Sequence, residues 1–237
     1  MNLSDCDAVI LCGGLGTRFR SVMKDKPKSL APIGGEACLD ILAKKLFSFG
    51  VRRIILATGY LGEQVEGHVK RTSLYKKGTV LFSKEEKPLG TGGALKKALS
   101  LVKSEHFLVA NGDTLFRFSL GAFARFHKKN NAKLSIAISP RTYDDNGGVS
   151  IDRDGRIIGF RERASLREMP FMSEGIYLFE RDAVAKHLPS QKTFSLEYDF
   201  FPGFIQRNAV FGFRSQGQSF DIGTSERYSK ALKHYTA

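Results

Sequence analysis

The chain has 237 residues, 42% hydrophobic and 26% charged, which is enough to bury a sizeable core as one domain and is ordinary for a globular protein. Its 37 basic and 24 acidic side chains leave a net charge of +13, yet the cations are dispersed in pairs such as Lys44-Lys45, Arg52-Arg53 and Lys96-Lys97; without a zinc-finger, aromatic RNA-binding or basic-zipper pattern, nucleic acid is not the expected partner. No apolar run is long enough to span a membrane, the polar start Met1 to Asp5 leaves no room for a signal peptide, and Cys6, Cys12 and Cys38 show no paired metal spacing, so a reducing cytoplasm is expected.

The first element is an apolar run, Asp7 to Cys12, which reads as a buried strand of a parallel sheet. It opens into Gly13-Gly14-Leu15-Gly16-Thr17-Arg18 and then Lys26-Pro27-Lys28-Ser29-Leu30. Three glycines in four positions let backbone N–H groups close around phosphate oxygens. Arg18 adds a planar fork of donors and Lys28 a mobile point charge. Two other phosphate motifs are ruled out. A dinucleotide fingerprint requires a third glycine where Phe19 stands, and no Gly-Lys-Ser/Thr follows at P-loop spacing.

Leu39, Leu42, Leu46 and Phe49 recur at helical spacing, and Gly50 stops the helix. Arg53 to Ala57 is a second strand, Leu61, Val65 and Val69 mark a short helix, and Thr79 to Ser83 is a third strand. That strand leads into Glu85-Glu86-Lys87-Pro88-Leu89-Gly90-Thr91-Gly92-Gly93, a second Gly-rich loop, with a helix from Ala94 to Val102. Phe107 to Ala110 forms a strand ending in Asn111-Gly112-Asp113. Alternating strands and helices predict an α/β fold: a Rossmann-like mixed, mainly parallel sheet flanked by helices. All three loops fall at the carboxyl ends of strands, where such sheets bind ligands.

The second half changes style. Leu134, Ile136 and Ile138 alternate, as in a strand with one buried face. Gly147 to Ile151 and Arg156 to Arg161 flank an Asp154-Gly155 turn and predict a hairpin. Gly175 to Glu180 is a strand and Arg181 to His187 a short helix; Leu196 to Ile205 has helical character interrupted by Pro202. Strands at Phe211 to Arg214 and Ser219 to Ile222 precede a final helix, Ser225 to Tyr235. The five histidines are scattered, and none is expected to be catalytic.

The Gly13 to Arg18 loop with its Pro27-Lys28 segment resembles the signature of the sugar-1-phosphate nucleotidylyltransferases, and matches to that family run from Leu11 to Thr224. The resemblance implies a full set of site residues. The nucleotide would be held by Leu11, Gly13, Gly14, Gly16, Thr17, Glu85, Pro88, Gly90 and Thr91, with catalytic Arg18 on the β- and γ-phosphates and Lys28 on the α-phosphate and sugar phosphate. Asp113 and Asp221 match the family's metal aspartates and would hold Mg²⁺ with substrate phosphate oxygens. Asn111, Gly148, Glu162, Arg163 and Ser173 match the sugar-phosphate side, although Arg163 stands where lysine is usual and Ser173 where asparagine is usual. The nucleotide part would cover residues 1–112 and the sugar part 113–237 of one domain, and no β-helix domain is expected after it.

By the same resemblance, a sugar 1-phosphate oxygen would attack the α-phosphorus of the nucleoside triphosphate in line and expel pyrophosphate. The nucleophile is already an anion, so no general base is needed. A carboxylate at Glu85 accepts only, which suits the adjacent N1–H and N2–H donors of guanine and leans toward GTP. Within the family, the Pro88 to Ala94 loop on a short chain is similar to the branch that makes GDP-heptose for capsule or lipopolysaccharide. Mannose 1-phosphate guanylyltransferases and uridylyltransferases are the alternatives. A metal-dependent glycosyltransferase would use a D-x-D pair where this chain has Asn111-Gly112-Asp113, and a non-catalytic subunit would be expected to lose Lys28 or the aspartates. The residues are compatible with a homodimer.

Overall fold

Strand β1 (Asp7–Leu11) is buried along almost its whole length, with Val9 and Ile10 on opposite faces of the sheet. They belong to two hydrophobic clusters, one on each side. The computed structural model describes residues 1–14, 16, 19, 22–141, 147–161, 167–215 and 219–235, with Tyr235 as backbone alone. A short antiparallel pair, β2 (Pro32–Ile33) and β3 (Glu36–Ala37), leads into α1 (Cys38–Ser48). Helix α1 ends at the expected glycine: Gly50 has φ +94°.

Parallel strands β4 (Arg53–Thr58) and β5 (Thr79–Lys84) extend the sheet on one side of β1, with α2 (Gly62–Arg71) between them. The chain then crosses back. Helix α3 (Gly90–Ala98) leads to β6 (His106–Asn111), which pairs in parallel with β1 on its other side. The crevice between β1 and β6 is therefore the point where strand order reverses, the usual ligand position in such sheets. Helix α3 begins inside the Gly-rich loop, four residues before the sequence places it. Gly92 N and Gly93 N donate to the Phe194 carbonyl oxygen at 3.0 and 3.2 Å, so tertiary hydrogen bonds override the low helix propensity of glycine.

Besides the β2–β3 pair, two further elements had no clear sequence signal: β7 (Thr114–Phe116) and α4 (Leu120–Lys129). Strand β8 (Leu134–Pro140) comes next, and it is buried on both faces from Leu134 to Ile138 rather than on one. The reason is its position between two other strands, with helices on either side. The predicted hairpin is present as β9 (Gly148–Ile151) and β10 (Ile157–Arg161). Strand β11 (Phe171–Glu180) starts earlier than expected and is antiparallel to β6, β8 and β9. Helix α5 (Arg181–His187) is followed by a π-turn over Leu196–Phe200 that runs straight into α6 (Phe201–Arg207). Pro202 does not break this helix, because it lies in the first turn, where its missing N–H has no helical partner to lose. Strand β12 (Val210–Arg214) pairs in parallel with β8, β13 (Ser219–Asp221) pairs antiparallel with β7, and α7 (Ser225–Tyr235) has its expected limits. A single mixed, mainly parallel sheet thus crosses both halves of the chain.

The histidines are not all isolated. His127 on α4 is 1% exposed; its Nδ1 is 2.9 Å from Ser135 Oγ and its Nε2 3.2 Å from His106 Nδ1. Burial, with help from His106 and Lys133, pushes its pKa down to about 3. In an unfolded chain it titrates near 6.5, about the ordinary histidine value. Between those pH values the unfolded chain binds the extra proton, so the His127 contribution is intact above roughly pH 6.5 and is lost as pH falls toward 3. Urea unfolding at a series of pH values is expected to show a falling midpoint below 6.5, and His127→Gln a shallower fall.

Candidate active site

The carboxyl ends of β5, β4, β1 and β6 lie side by side in that order. After β1 the backbone turns at Gly14 (φ +109°) and Gly16 (φ +57°), and a side chain built at either would meet no atom within 4 Å. These glycines are required by conformation and face open space, as a phosphate-binding turn does. Leu11 closes β1 and its carbonyl accepts from Gly112 N at 2.9 Å, tying the turn to the Asn111-Gly112-Asp113 loop. Thr17 and Arg18 lie outside the described residues, as do Glu162 and Arg163.

Beside the turn, Gly14, Gly59, Tyr60, Glu85 and Pro88 line a cleft of about 240 Å³. Glu85 is fixed at the end of β5: its N–H donates to Thr58 O at 2.7 Å, and its Oε2 accepts from Leu89 N at 3.0 Å. The carboxylate lies against Gly13, where an added Cβ would be 2.8 Å from Oε1. Burial raises the Glu85 pKa, opposed by the Leu89 N–H and the Lys97 charge.

On the other side of the turn, two carboxylates meet around one lysine. Lys28, on a single 3-10 turn after Pro27, bonds directly to Asp113 Oδ2, and its Nζ is 3.8 Å from Asp221 Oδ1. Pairing of β7 with β13 aligns Thr114 with Asp221, and Ile222 N donates to Asp113 O at 3.0 Å. Arg227, in the first turn of α7, holds Asp221 with Nη1 2.7 Å from Oδ2. The Asp221 pKa is raised first by burial and then by the Asp113 charge, while Lys28 and Arg227 pull it back.

These groups form one wall of a cavity of about 320 Å³. Asn111 and Ser173 line it as the sequence places them. Gly147 lines it in place of Gly148, which is buried in β9 with its pairing taken up by Arg161 and Met172. Thr91 faces this cavity rather than the Glu85 cleft, donating to Glu197 Oε2 at 2.6 Å. Gly90 lines neither and packs against the Phe194 backbone. Sequence reasoning passed over Arg227, Lys230, Glu197 and Glu174, all of which line the cavity. The available signal was the three-residue spacing of Arg227 and Lys230, which puts both on one face of the last helix.

A charged hydrogen bond of this kind contributes about 1.5–3 kcal/mol. Arg227→Met is therefore expected to lower kcat roughly ten- to a hundredfold if Asp221 must be held in place. Steady-state kinetics with a parallel thermal melt tests this.

A Gly-rich turn at the switch point, a base-sized cleft on one side and a cation between carboxylates on the other define a nucleotide-binding α/β enzyme that handles phosphates. The nucleotidyl transferase family model matches residues 7–237. D-glycero-alpha-D-manno-heptose 1-phosphate guanylyltransferase of Aneurinibacillus thermoaerophilus is 35% identical over 232 residues, covering 97% of this chain and 99% of the relative. The enzyme of the same name from Campylobacter jejuni is 36% identical over 85% of both chains. Among solved structures, HddC from Yersinia pseudotuberculosis complexed with GMP-PN superposes with a TM-score of 0.83 at 31% identity, covering 97% and 99% of the two chains. The chain belongs to the nucleotidyl transferase family.

Proposed function

We propose that the chain transfers a guanylyl group from GTP to D-glycero-α-D-manno-heptose 1-phosphate, releasing pyrophosphate and forming GDP-heptose for surface polysaccharides. One observation carries the reaction: Lys28 lines both the groove beneath Gly14 and Gly16 and the larger cavity. Among the described residues it is the cation common to the two compartments, which suits a group that meets the α-phosphate of one substrate and the phosphate of the other. The choice of GTP and heptose is supported by the names of the relatives that match this chain over most of their length. Mannose 1-phosphate guanylyltransferases are more distant. The acceptor-only carboxylate of Glu85 also fits the paired donors of guanine.

In this reading the chain's residues act by position and charge. The Gly13 to Gly16 turn presents backbone to the phosphates, Glu85 and Pro88 flank the base, and Asn111 and Ser173 face the sugar. Lys28 brings two anions together and offsets charge as the α-phosphorus is attacked; Arg18 is assigned to the β- and γ-phosphates, with Thr17 beside it. Glu162 is assigned to the sugar hydroxyls and Arg163 to the sugar phosphate. Asp113 and Asp221 both approach Lys28 and line the same cavity, a pair of hard oxygen donors that suits Mg²⁺ completed by substrate phosphates. Among the described residues no group of three or more His, Cys, Asp or Glu would hold a metal unaided, so the ion is expected to arrive with the nucleotide. Bound there, it would neutralise phosphate charge.

We assign the enzyme to the cytoplasm. Its three cysteines are free thiols and buried, and among the described residues no helix is long and apolar enough to cross a membrane. Neither nucleic acid nor a membrane enters the reading, and a homodimer is compatible with it. A grid of four nucleoside triphosphates against heptose, mannose and glucose 1-phosphates, read by pyrophosphate release, tests the assignment. GTP with the heptose is expected to give the highest kcat/KM. UTP or dTTP outrunning GTP would remove the base assignment, and mannose 1-phosphate outrunning the heptose would remove the sugar.

A further inference from the structure

Strand β11 changes neighbours partway along. Phe171 and Met172 pair with β9, whereas Ile176 to Glu180 pair with β6. Between them the register against β8 shifts, and Gly175 takes φ +68°. Glu174 lies in this opening of the sheet. It is 3% exposed, yet it lines the larger cavity.

The surroundings of its carboxyl group are lopsided. Oε1 accepts from Ser215 Oγ at 2.8 Å. Ser139 on β8 and Ser219 at the start of β13 add hydroxyls that, with Ser215, oppose the rise in pKa caused by burial. Oε2 is buried and, among the described residues, has no hydrogen-bond partner. Buried acceptors are normally satisfied, and one that is not calls for a reason. A residue lining the same cavity is a second case: Asn111 Oδ1 is also buried without a partner among the described residues. Two residues that line one cavity thus each carry a buried acceptor without a donor, which matches a ligand rich in hydroxyl groups. A carboxyl serving only to tie strand ends together would need no more than its bonds to the serines.

We propose that Glu174 is a specificity-determining residue whose carboxyl group, together with Asn111, receives hydroxyl groups of the sugar 1-phosphate. This rests on the reading that the cavity holds the sugar. It makes Glu174 a sugar contact that the attacking phosphate never touches. Its loss should weaken sugar binding and leave nucleotide binding alone.

The test uses Glu174→Gln, which keeps shape and one acceptor, and Glu174→Ala. Each is compared with wild type on the sugar 1-phosphate that wild type turns over best, with calorimetric binding of that sugar phosphate as a second readout. The expected result is a rise of about tenfold in sugar KM and Kd for the alanine variant and a smaller rise for glutamine, with GTP KM unchanged. Unchanged sugar affinity in the glutamine variant overturns the proposal, as does a loss confined to melting temperature and kcat. If wild type prefers a sugar other than the heptose, the substrate assignment fails while Glu174 is still judged on that sugar. If wild type binds no sugar phosphate, both fall.

Discussion

Lys28→Ala is expected to lower pyrophosphate release roughly a hundred- to a thousandfold, the usual effect of removing a donor that stabilises developing charge. The lysine side chain is only 19% exposed, so water does not readily replace it. Its removal leaves Asp113 without its direct cation and, among the described residues, Asp221 with Arg227 as its remaining cation. In the proposed reading both substrates carry negative phosphates, and without Lys28 their repulsion would be left to the proposed Mg²⁺ and Arg18. A thermal melt should be run beside the assay, because removing one partner of a largely buried ion pair also costs stability, and the rate loss is expected to persist well below the melting temperature of the variant. Lys28→Arg should recover part of the rate, since the charge returns with a different geometry.

Asp113→Asn is the second large effect expected, again roughly a hundredfold or more in rate, by the loss of a charged group aimed at the reacting centre. Amide replaces carboxylate with little change in shape, so folding should be kept. The loss should be accompanied by a rise in the Mg²⁺ concentration needed for half-maximal rate, because one of two hard oxygen donors has lost its charge. The double variant Lys28→Ala/Asp113→Asn should lose less than the sum of the two, because the side chains are in contact and serve one centre. Full additivity would mean that they act separately.

The parallel half of the sheet was legible because β1, β4, β5 and β6 are continuous apolar runs that each end in polar or Gly-rich loops. The last helix and the Asp154-Gly155 hairpin carry strong local signals. Strand β7 was not legible: three residues make no pattern by themselves and become a strand only by pairing with β13, far along the chain. That pairing brings Asp113 to Asp221, so both aspartates were visible as candidates while the reason for their proximity was not. Helix α4 hid because its buried stripe includes Ala124 and His127 beside Leu120 and Phe123, a weakly apolar face. Glu174 and Arg227 look like ordinary charges in sequence. Only the opening in β11 and the reach of α7 over Asp221 give them a place in the cavity.

The shared cation carries the whole account, and a structure of the protein with a non-hydrolysable GTP analogue and Mg²⁺ examines it most directly. The base should lie in the cleft of Tyr60, Glu85 and Pro88, the phosphates should track the Gly14 to Gly16 turn, and the α-phosphorus should come within reach of Lys28 and the Asp113–Asp221 pair. A nucleotide bound away from that turn, or one whose α-phosphate points away from Lys28, would contradict it.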